Sequence, residues 1–556
     1  MSEVERLSRA LGSSRTLAQV FVRRGQLEAA SVERFLSPQL SQLTLPDAMA
    51  DREVLAERLA HAAQHQQRVV VFGDYDCDGI TSAAILTDLL RRLGAVVIPQ
   101  LASRFSGGYG VSPEATDRIL AAKPAVLVTC DCGSSDHKSL SRVRDAGVDV
   151  LVIDHHLVPR EPLPAMAFLN PHRPECGFPY KGLASCGLVL SLGAALRKRL
   201  DPKLDLRPYL DLVAIGTIAD VAPLDGDNRA LVRAGLNVLG TAARPGVRAL
   251  LEYAKIDPSA PVRGEDVAFR IAPRINAPGR LGAPDPAFDL LLARNLDTAR
   301  SLAARVEQLT DERKAIQQEM EEQAIQVIER EGWADRPALV IAEDGFNHGI
   351  VGVVAGRLVD RYQVPVVVIG FEGDEGRGSV RGPAGARLFD ALTEASGPLT
   401  RFGGHQAAAG VTVQRSAVAA FREAFEAACG AGAAAPRGEV QTDPAAVVPL
   451  IAGDRLYQVV TDLERLEPCG ERNPAPSLEI TARLTSARVV GDGHLKLDLD
   501  VGGQRLSAFG FGQGELAGSL GSEVTLVGKL KRDTYHGGEA VELRIGSVQS
   551  AAAPVG

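Results

Sequence analysis

Between Arg68 and Ile153 the spacing of apolar residues switches repeatedly between two periods, and this alternation restricts the fold more than any other feature of the 556-residue chain. RVVVFG (68–73), AVVIPQ (95–100), AVLVTC (125–130) and VDVLVID (148–154) are short apolar runs rich in Val and Ile. Between them, GITSAAILTDLLRRLG (79–94) and stretches near 113–122 and 137–146 carry helical spacing. A strand buried on both faces loses the in-out alternation, and strands separated by helices pair in parallel. The pattern predicts the α/β class, with a parallel sheet covered on both sides.

A second constraint is the stretch from Ala287 to Glu331, which contains neither Gly nor Pro. Ala299, Leu302, Ala303, Val306 and Leu309, then Ile316, Met320, Ala324, Val327 and Ile328, recur at helical spacing. With about 35 residues in helix the rod is roughly 50 Å long, the length of a connector between domains. RPALVIA (336–342), a helix over about His348 to Arg361, and VPVVVIG (364–370) open another α/β unit. It ends in the small-residue, Gly- and Pro-bearing linker near 431–438. LEITARL, ARVVG, HLKLDLDV, QRLSAFGF, EVTLVGKLKR and AVELRIG, between about 439 and 550, read as short strands with Gly-bearing turns, the pattern of a small barrel. The expected division is 1–45 as an N-terminal segment, 46–285 and 336–430 as α/β domains joined by a connector over 286–335, then 431–438 as linker and 439–550 as barrel.

Net charge is −8, from 61 Lys plus Arg against 69 Asp plus Glu, which rules out a uniformly basic nucleic-acid coat. Any polyanion must meet a local basic patch or metal ions. Seven cysteines scattered over so long a chain read as intracellular thiols rather than a disulfide framework. No 18-residue apolar run occurs, so the expectation is a soluble cytoplasmic protein without membrane association.

Chemistry concentrates at the ends of the apolar runs. Asp74-Tyr75-Asp76-Cys77-Asp78-Gly79 follows the first. An EF-hand calcium loop would need Glu at its twelfth position and a helix before it, whereas Ile85 stands there and a strand precedes. A solvated acidic turn is the plain alternative. Against it, Asp131 follows AVLVTC, Asp154-His155-His156 closes VDVLVI, and Asp220 ends another apolar run. The carboxyl edge of a parallel sheet is where such folds place ligand sites. Converging carboxylates repel one another unless cations neutralise them. Oxygen with imidazole suits Mn²⁺ or Mg²⁺, and two such ions about 3.5 to 4 Å apart ionise water and stabilise a leaving oxygen. The constellation predicts a dinuclear phosphoesterase. Cys130 and Cys132 raise a zinc reading, but no second Cys pair or finger-spaced His accompanies them. They are expected to pack beneath the site, and His137 and His172 to be exposed or capping.

These residues resemble a family. DYDCDG (74–79), VTCDCG (128–133), DHH (154–156) and GTIADVAPL (216–224) resemble the four motifs of the DHH phosphoesterases. RFSGGYG (104–110), NPHRPEC (170–176), KGLASCG (181–187), RIAPRINAPGRLG (270–282), FNHGIVGVVAGRL (346–358), FGGHQAAAG (402–410) and LEPCGERNPAP (466–476) resemble the RecJ branch, exonucleases specific for single-stranded DNA. The likeness runs in order over all but about the first 45 residues and the last few.

The resemblance implies two divalent cations, Mn²⁺ or Mg²⁺, on Asp76, Asp78, Asp131, His155 and Asp220. Asp131 would bridge them. It implies catalytic roles for Asp131, for His156 as a donor to the scissile phosphate, and for Asp74. Phe72 stands where a related branch has His, so one ion would hold more water. The segment after the connector is similar to the DHH-associated domain, whose Gly-Gly-His turn matches Gly403, Gly404 and His405. Arg104, Ser379 and Arg381 are assigned to the 5′-phosphate or adjacent backbone, and Arg274 and Arg280 to the path of the strand. The last segment resembles an oligonucleotide-binding barrel. From Glu479 to Arg544 its eight basic and nine acidic residues nearly cancel. Binding there would use a local strip such as Lys496, Lys529, Lys531 and Arg532, with Phe509, Phe511 or Tyr535 as stacking platforms. Each of these aromatics reads more readily as core. Cys469 and Arg472 stand where the family usually has an aromatic and a glycine, which leaves the local turn open.

The implied activity is 5′ to 3′ hydrolysis of single-stranded DNA to nucleoside 5′-monophosphates in repair and recombination. The implied partners are a single-strand-binding protein and a helicase, and the chain is expected to be a monomer. Alternatives are a DHH phosphodiesterase for oligoribonucleotides or cyclic dinucleotides, and a non-catalytic replication scaffold of the same fold. The first group generally lacks the barrel and long connector; the second loses metal ligands.

Overall fold

A computed structural model describes residues 2–404, 406, 408–431, 447–533 and 536–550. Two compact units form: Leu45–Ala222 with Gly235–Glu439, and Met1–Thr44 with Pro223–Ala234 and Val440–Gly556.

The first unit opens on a fully parallel sheet of β1 (Arg68–Gly73), β2 (Val96–Leu101), β3 (Val126–Cys130), β4 (Asp149–Ile153) and β5 (Ala167–Leu169), in the order β2-β1-β3-β4-β5. Val69 to Val71, Val126 to Val128 and Val150 to Ile153 are buried, as the unbroken apolar runs require. Register sets Gly73 beside Cys130, Cys130 beside Ile153 and Ile153 beside Leu169. The next residues, Asp74, Asp131, Asp154 and Asn170, therefore form one row across the carboxyl edge, with neighbours about 4.8 Å apart. Their amides extend the ladder: Asp74 N to Cys130 O, Asp131 N to Ile153 O and Asp154 N to Leu169 O.

The connector is a single helix, Leu296–Arg330, of 35 residues, with Asn295 as N-cap. Residues 287–292 belong to a separate short helix, Asp285–Leu292. Beyond the connector lies a sheet of β6 (Leu339–Asp344), β7 (Val366–Glu372), β8 (Glu375–Arg381), β9 (Leu399–Gly404) and β10 (Ala408–Gln414), ordered β6-β7-β8-β10-β9 and parallel only between β6 and β7. The helix expected from His348 starts at Val351. Asn347 delays it by making a turn, accepting from Gly349 N through its side chain and from Ile350 N through its carbonyl.

The second unit holds β11 (Val447–Pro449), β12 (Ser477–Val490), β13 (His494–Val501), β14 (Gln504–Gly510), β15 (Glu523–Arg532) and β16 (Val541–Ser550). Pairing of β12 with both β13 and β15 closes a five-stranded barrel through β14 and β16. LEITARL and ARVVG are one strand, irregular at Leu484 to Ser486, rather than two. Residues 1–44 contribute three helices whose Leu7, Leu17, Phe21 and Leu36 share a core with Val459, Leu478 and Ile480. All seven cysteines are free thiols, and no helix among the described residues is long and apolar enough to cross a membrane.

Candidate metal centre and phosphate cleft

Glycines and helix ends place the acids. Asp76 caps the helix Cys77–Arg92, accepting from Gly79 N at 3.1 Å. A Cβ on Gly79 would lie 2.7 Å from the Asp74 backbone, so only glycine lets the helix start against the strand end. Asp78 is buried, and its carboxylate takes the first amides of the helix Ser185–Leu200, Ser185 N at 2.7 Å and Cys186 N at 3.0 Å. The positive end of that helix stabilises the charge. Asp131 has φ 65°, a left-handed conformation that Asp tolerates better than most residues, and accepts from Ser185 Oγ at 3.0 Å.

Ligand atoms gather in three overlapping sets, each within 4.8 Å: Asp74 with Asp76 and Asp131, Asp78 with His155 and Asp220, and Asp131 with His155 and His156. Asp131 and His155 each belong to two of them. His155 Nε2 lies 3.3 Å from Asp131 Oδ1 and 3.7 Å from Asp220 Oδ2. Burial and the neighbouring acids Asp78 and Asp76 push Asp131 well above the carboxylate range and Asp220 up to about 8. His155 Nε2 and Asp74 Oδ1 are buried without a hydrogen-bond partner. Acids that repel one another and orphaned buried donor atoms are what a cation site presents before its ions are counted. The donor set of oxygen and imidazole fits Mg²⁺ or Mn²⁺. Cys130 and Cys132 are buried, apart from these sets.

His156 is held differently. Its Nδ1 donates to Asp154 Oδ1 at 2.7 Å, and Asp154, fully buried, also accepts from Ser134 N and from the amides of His155 and His156. Burial opposes a charge on His156, but Asp154 outweighs it and lifts the imidazole to about 9. With Nδ1 engaged, Nε2 is the ring nitrogen left to donate outward. Tyr109 braces the pair, its hydroxyl 3.3 Å from Asp131 O and 3.1 Å from His156 Nδ1.

Across from the acids, arginines converge from several segments. Arg104 stacks 3.9 Å over the Tyr75 ring. Arg280 donates to Gly349 O at 3.0 Å, and a Cβ on Gly349 would lie 2.1 Å from Arg280 O. Arg381 donates to Ser379 Oγ at 2.8 Å. Burial and the charges of Arg104, Arg313 and Arg381 push Arg280 down to about 9, and Arg381 is lowered by burial and Arg104. Guanidinium groups that depress one another create a site for an anion. Gly403 and Gly404 lie in the same sheet as Ser379, with Gly410 between Gly403 and Ser379. Gly404 has φ 145° and its Cβ would lie 2.5 Å from Ala408 O. His405 lies outside the described residues.

Arg274 is not brought to this cluster. Its Nε and one terminal nitrogen hold Glu307 of the connector at 2.6 and 2.8 Å, which makes it a brace. His137 caps a loop through Nε2 to Glu161 O at 3.0 Å, and His172 is exposed. Sequence reasoning missed Tyr109, Ser185 and Arg313. The first two stand inside RFSGGYG and KGLASCG, but nothing in their spacing shows what they touch.

On the barrel the aromatics are not core. Leu506, Ala508 and Gly510 point inward, so period two turns Phe509 outward, and Phe511 beyond the strand is 56% exposed. Register aligns Lys496, Phe509, Arg544 and Lys529 in one outward row over four strands. Within that row Lys496 is paired with Glu542 at 2.8 Å, the residue that Lys531 also faces in register, and Arg532 is engaged by Glu464 and Tyr457. Tyr535 lies outside the described residues.

Models of the DHH family N-terminal domain, the DHHA1 domain and the RecJ OB domain match residues 68–217, 335–431 and 450–547. The single-stranded-DNA-specific exonuclease RecJ of Bacillus subtilis is 32% identical over 98% of this chain and 69% of its own length. The Escherichia coli protein of the same name is 33% identical over 96% of this chain and 95% of its own length. The crystal structure of Thermus thermophilus RecJ in complex with Mn²⁺ superposes with TM-score 0.84 at 31% identity, covering 99% of this chain and 78% of that one. Similarity of this extent over nearly the whole length, with all three domain models matched along the chain, places the chain in the RecJ family.

Proposed function

We propose that the protein is a metal-dependent exonuclease that degrades single-stranded DNA from its 5′ end to nucleoside 5′-monophosphates, in repair and recombination. The observation that carries it is the meeting, within one unit, of the acid-imidazole sets with the cluster of Arg104, Arg280 and Arg381. Asp76, Asp78, Asp131, His155 and Asp220 would hold two divalent cations, with Asp74 beside them. Such ions supply Lewis-acid activation of water and neutralise charge developing at phosphorus. The chain's own groups do the rest. Arg104 and Arg381, with Ser379, take the terminal phosphate. His156 Nε2 donates to a non-bridging oxygen of the scissile phosphate, held in place by Asp154. Arg280 and the Gly403-Gly404 backbone guide the next phosphates, and the outward row of the barrel holds strand further along.

The reading divides the chain as 46–285 for chemistry, 336–430 for phosphate binding and 439–550 for strand holding. It includes action as a monomer in the cytoplasm, beside a single-strand-binding protein and a helicase, on the strength of the resemblance. The decisive experiment digests matched 5′-labelled and 3′-labelled single strands with and without Mn²⁺, with duplex and RNA controls. Early release of the 5′ label as mononucleotide, only with metal and only from single-stranded DNA, is the expected result. Equal or faster cleavage of oligoribonucleotides would favour a DHH phosphodiesterase instead.

A further inference from the structure

The helices Cys77–Arg92 and Leu210–Ala219 carry Asp78 and Asp220 at one end, and at their other ends they border a cavity of about 710 Å³. Arg92 lies 14 residues beyond Asp78, about 21 Å along the helix. Nothing in the chemistry above uses this cavity, whose volume is typical of small-molecule sites, about 300 to 1,000 Å³.

Its polar lining is of two kinds. Arg92 pairs with Asp88 at 2.8 Å, Arg207 with Asp205 at 2.8 Å, and Arg244 with the buried Asp211 at 2.7 Å. Tyr209 fixes the wall behind them, its hydroxyl donating to Asp88 at 2.6 Å. The fourth arginine, Arg294, is exposed and has no ion pair among the described residues. Val238, Leu292 and Pro245 add apolar surface to the lining. Inorganic phosphate alone would leave the apolar surface unmatched. A ligand with an anionic end and an apolar body complements Arg294 and that surface, and donors on the body can add to carboxylates whose remaining lone pairs accept beside their arginine partners.

We propose that this cavity is a second site, apart from the cleft, for a mononucleotide, with its phosphate on Arg294 and Arg207 and its base or sugar donors on the aspartates. That the reaction's own product would fill it rests on the exonuclease reading. Calorimetry with dAMP in EDTA, on full-length Arg104→Ala/Arg381→Ala protein that lacks the two arginines assigned to the terminal phosphate in the cleft, tests it. One dAMP per chain is expected, with affinity falling at least tenfold on adding Arg207→Glu/Arg294→Glu. In the wild-type background that exposed pair of changes should leave hydrolysis of single strands unchanged. Absence of dAMP binding, unchanged affinity in the fourfold variant, or displacement by deoxyadenosine as readily as by dAMP would overturn it. If dAMP binds as expected but no strand is degraded, the nuclease reading fails and this one stands.

Discussion

Asp131 combines a left-handed backbone with membership of two ligand sets. Its replacements therefore separate backbone from chemistry. Asp131→Asn keeps a residue that tolerates φ 65°, whereas Asp131→Ala adds strain of about 1 kcal/mol. Both should lose turnover under Mn²⁺ by orders of magnitude, and Asn should be the more stable of the two by urea titration. Mn²⁺ should raise the melting temperature of wild type and raise that of either variant far less. Wild-type turnover in either would remove Asp131 from the centre. The arginines give a second prediction. Arg104→Ala or Arg381→Ala should weaken use of a 5′-phosphorylated strand about 10- to 100-fold, the loss of a charge-assisted pair, with a smaller effect on a 5′-hydroxyl strand. Equal losses on both ends would move them off the terminal phosphate. Arg472 gives a third. It stands at φ 56° in the tight turn where Gly470 and Asn473 exchange backbone hydrogen bonds, and its ion pair to Asp225 is long and exposed. Glycine suits that backbone, so Arg472→Gly should stabilise the protein by about 0.5 to 1 kcal/mol in urea titration, with activity unchanged.

At the level of elements, the sheet edge could be read in advance because burial on both faces and side-chain period leave marks in local sequence. Val-rich runs ending in Asp74, Asp131 and Asp154 are in register in the structure, and the Gly- and Pro-free stretch is one helix. What could not be read is which long side chains the connector engages. RINAPGR offers two arginines of equal chemistry; the fold sends Arg280 to the cleft and Arg274 to Glu307, a choice made by helix phase against a distant partner. Arg274→Ala should therefore act through stability. The pair is mostly buried, and removing one member leaves Glu307 unmatched, at a cost of about 2 kcal/mol. The midpoint of denaturation should fall while KM for long strands stays near wild type. A large rise in KM with unchanged stability would return Arg274 to the strand's path.

The second unit shows why assembly escapes sequence reading. Short strands with Gly-bearing turns mark the barrel, but the N-terminal segment stays unassigned in sequence, and nothing local says that Phe21 and Leu478 share a core. Arg229, more than 200 residues from either, donates to the carbonyls of Phe35, Arg465, Leu466, Glu467 and Pro468 and is almost completely buried. Cutting the chain near Gly430 would strip the N-terminal helices and Arg229 of these partners, so loss of strand binding after such a cut would report misfolding. The sharper test keeps the barrel and reverses charge on its outward row. Lys529→Glu with Arg544→Glu changes two exposed positions on adjacent strands without touching the inward residues Gly528, Leu530, Leu543 and Ile545. If each cation meets one phosphate, the slope of log K against log salt for a long single strand should flatten by about 1.4, about 0.7 per contact. Phe509→Ala should remove about 1 to 3 kcal/mol of stacking while leaving that slope in place. All the acids proposed for chemistry lie at or before Asp220, so hydrolysis of very short oligonucleotides at saturating concentration should continue at the wild-type rate in both variants. Folded variants that bind long strands as tightly as wild type, with the same salt slope, would show that the strand is held elsewhere.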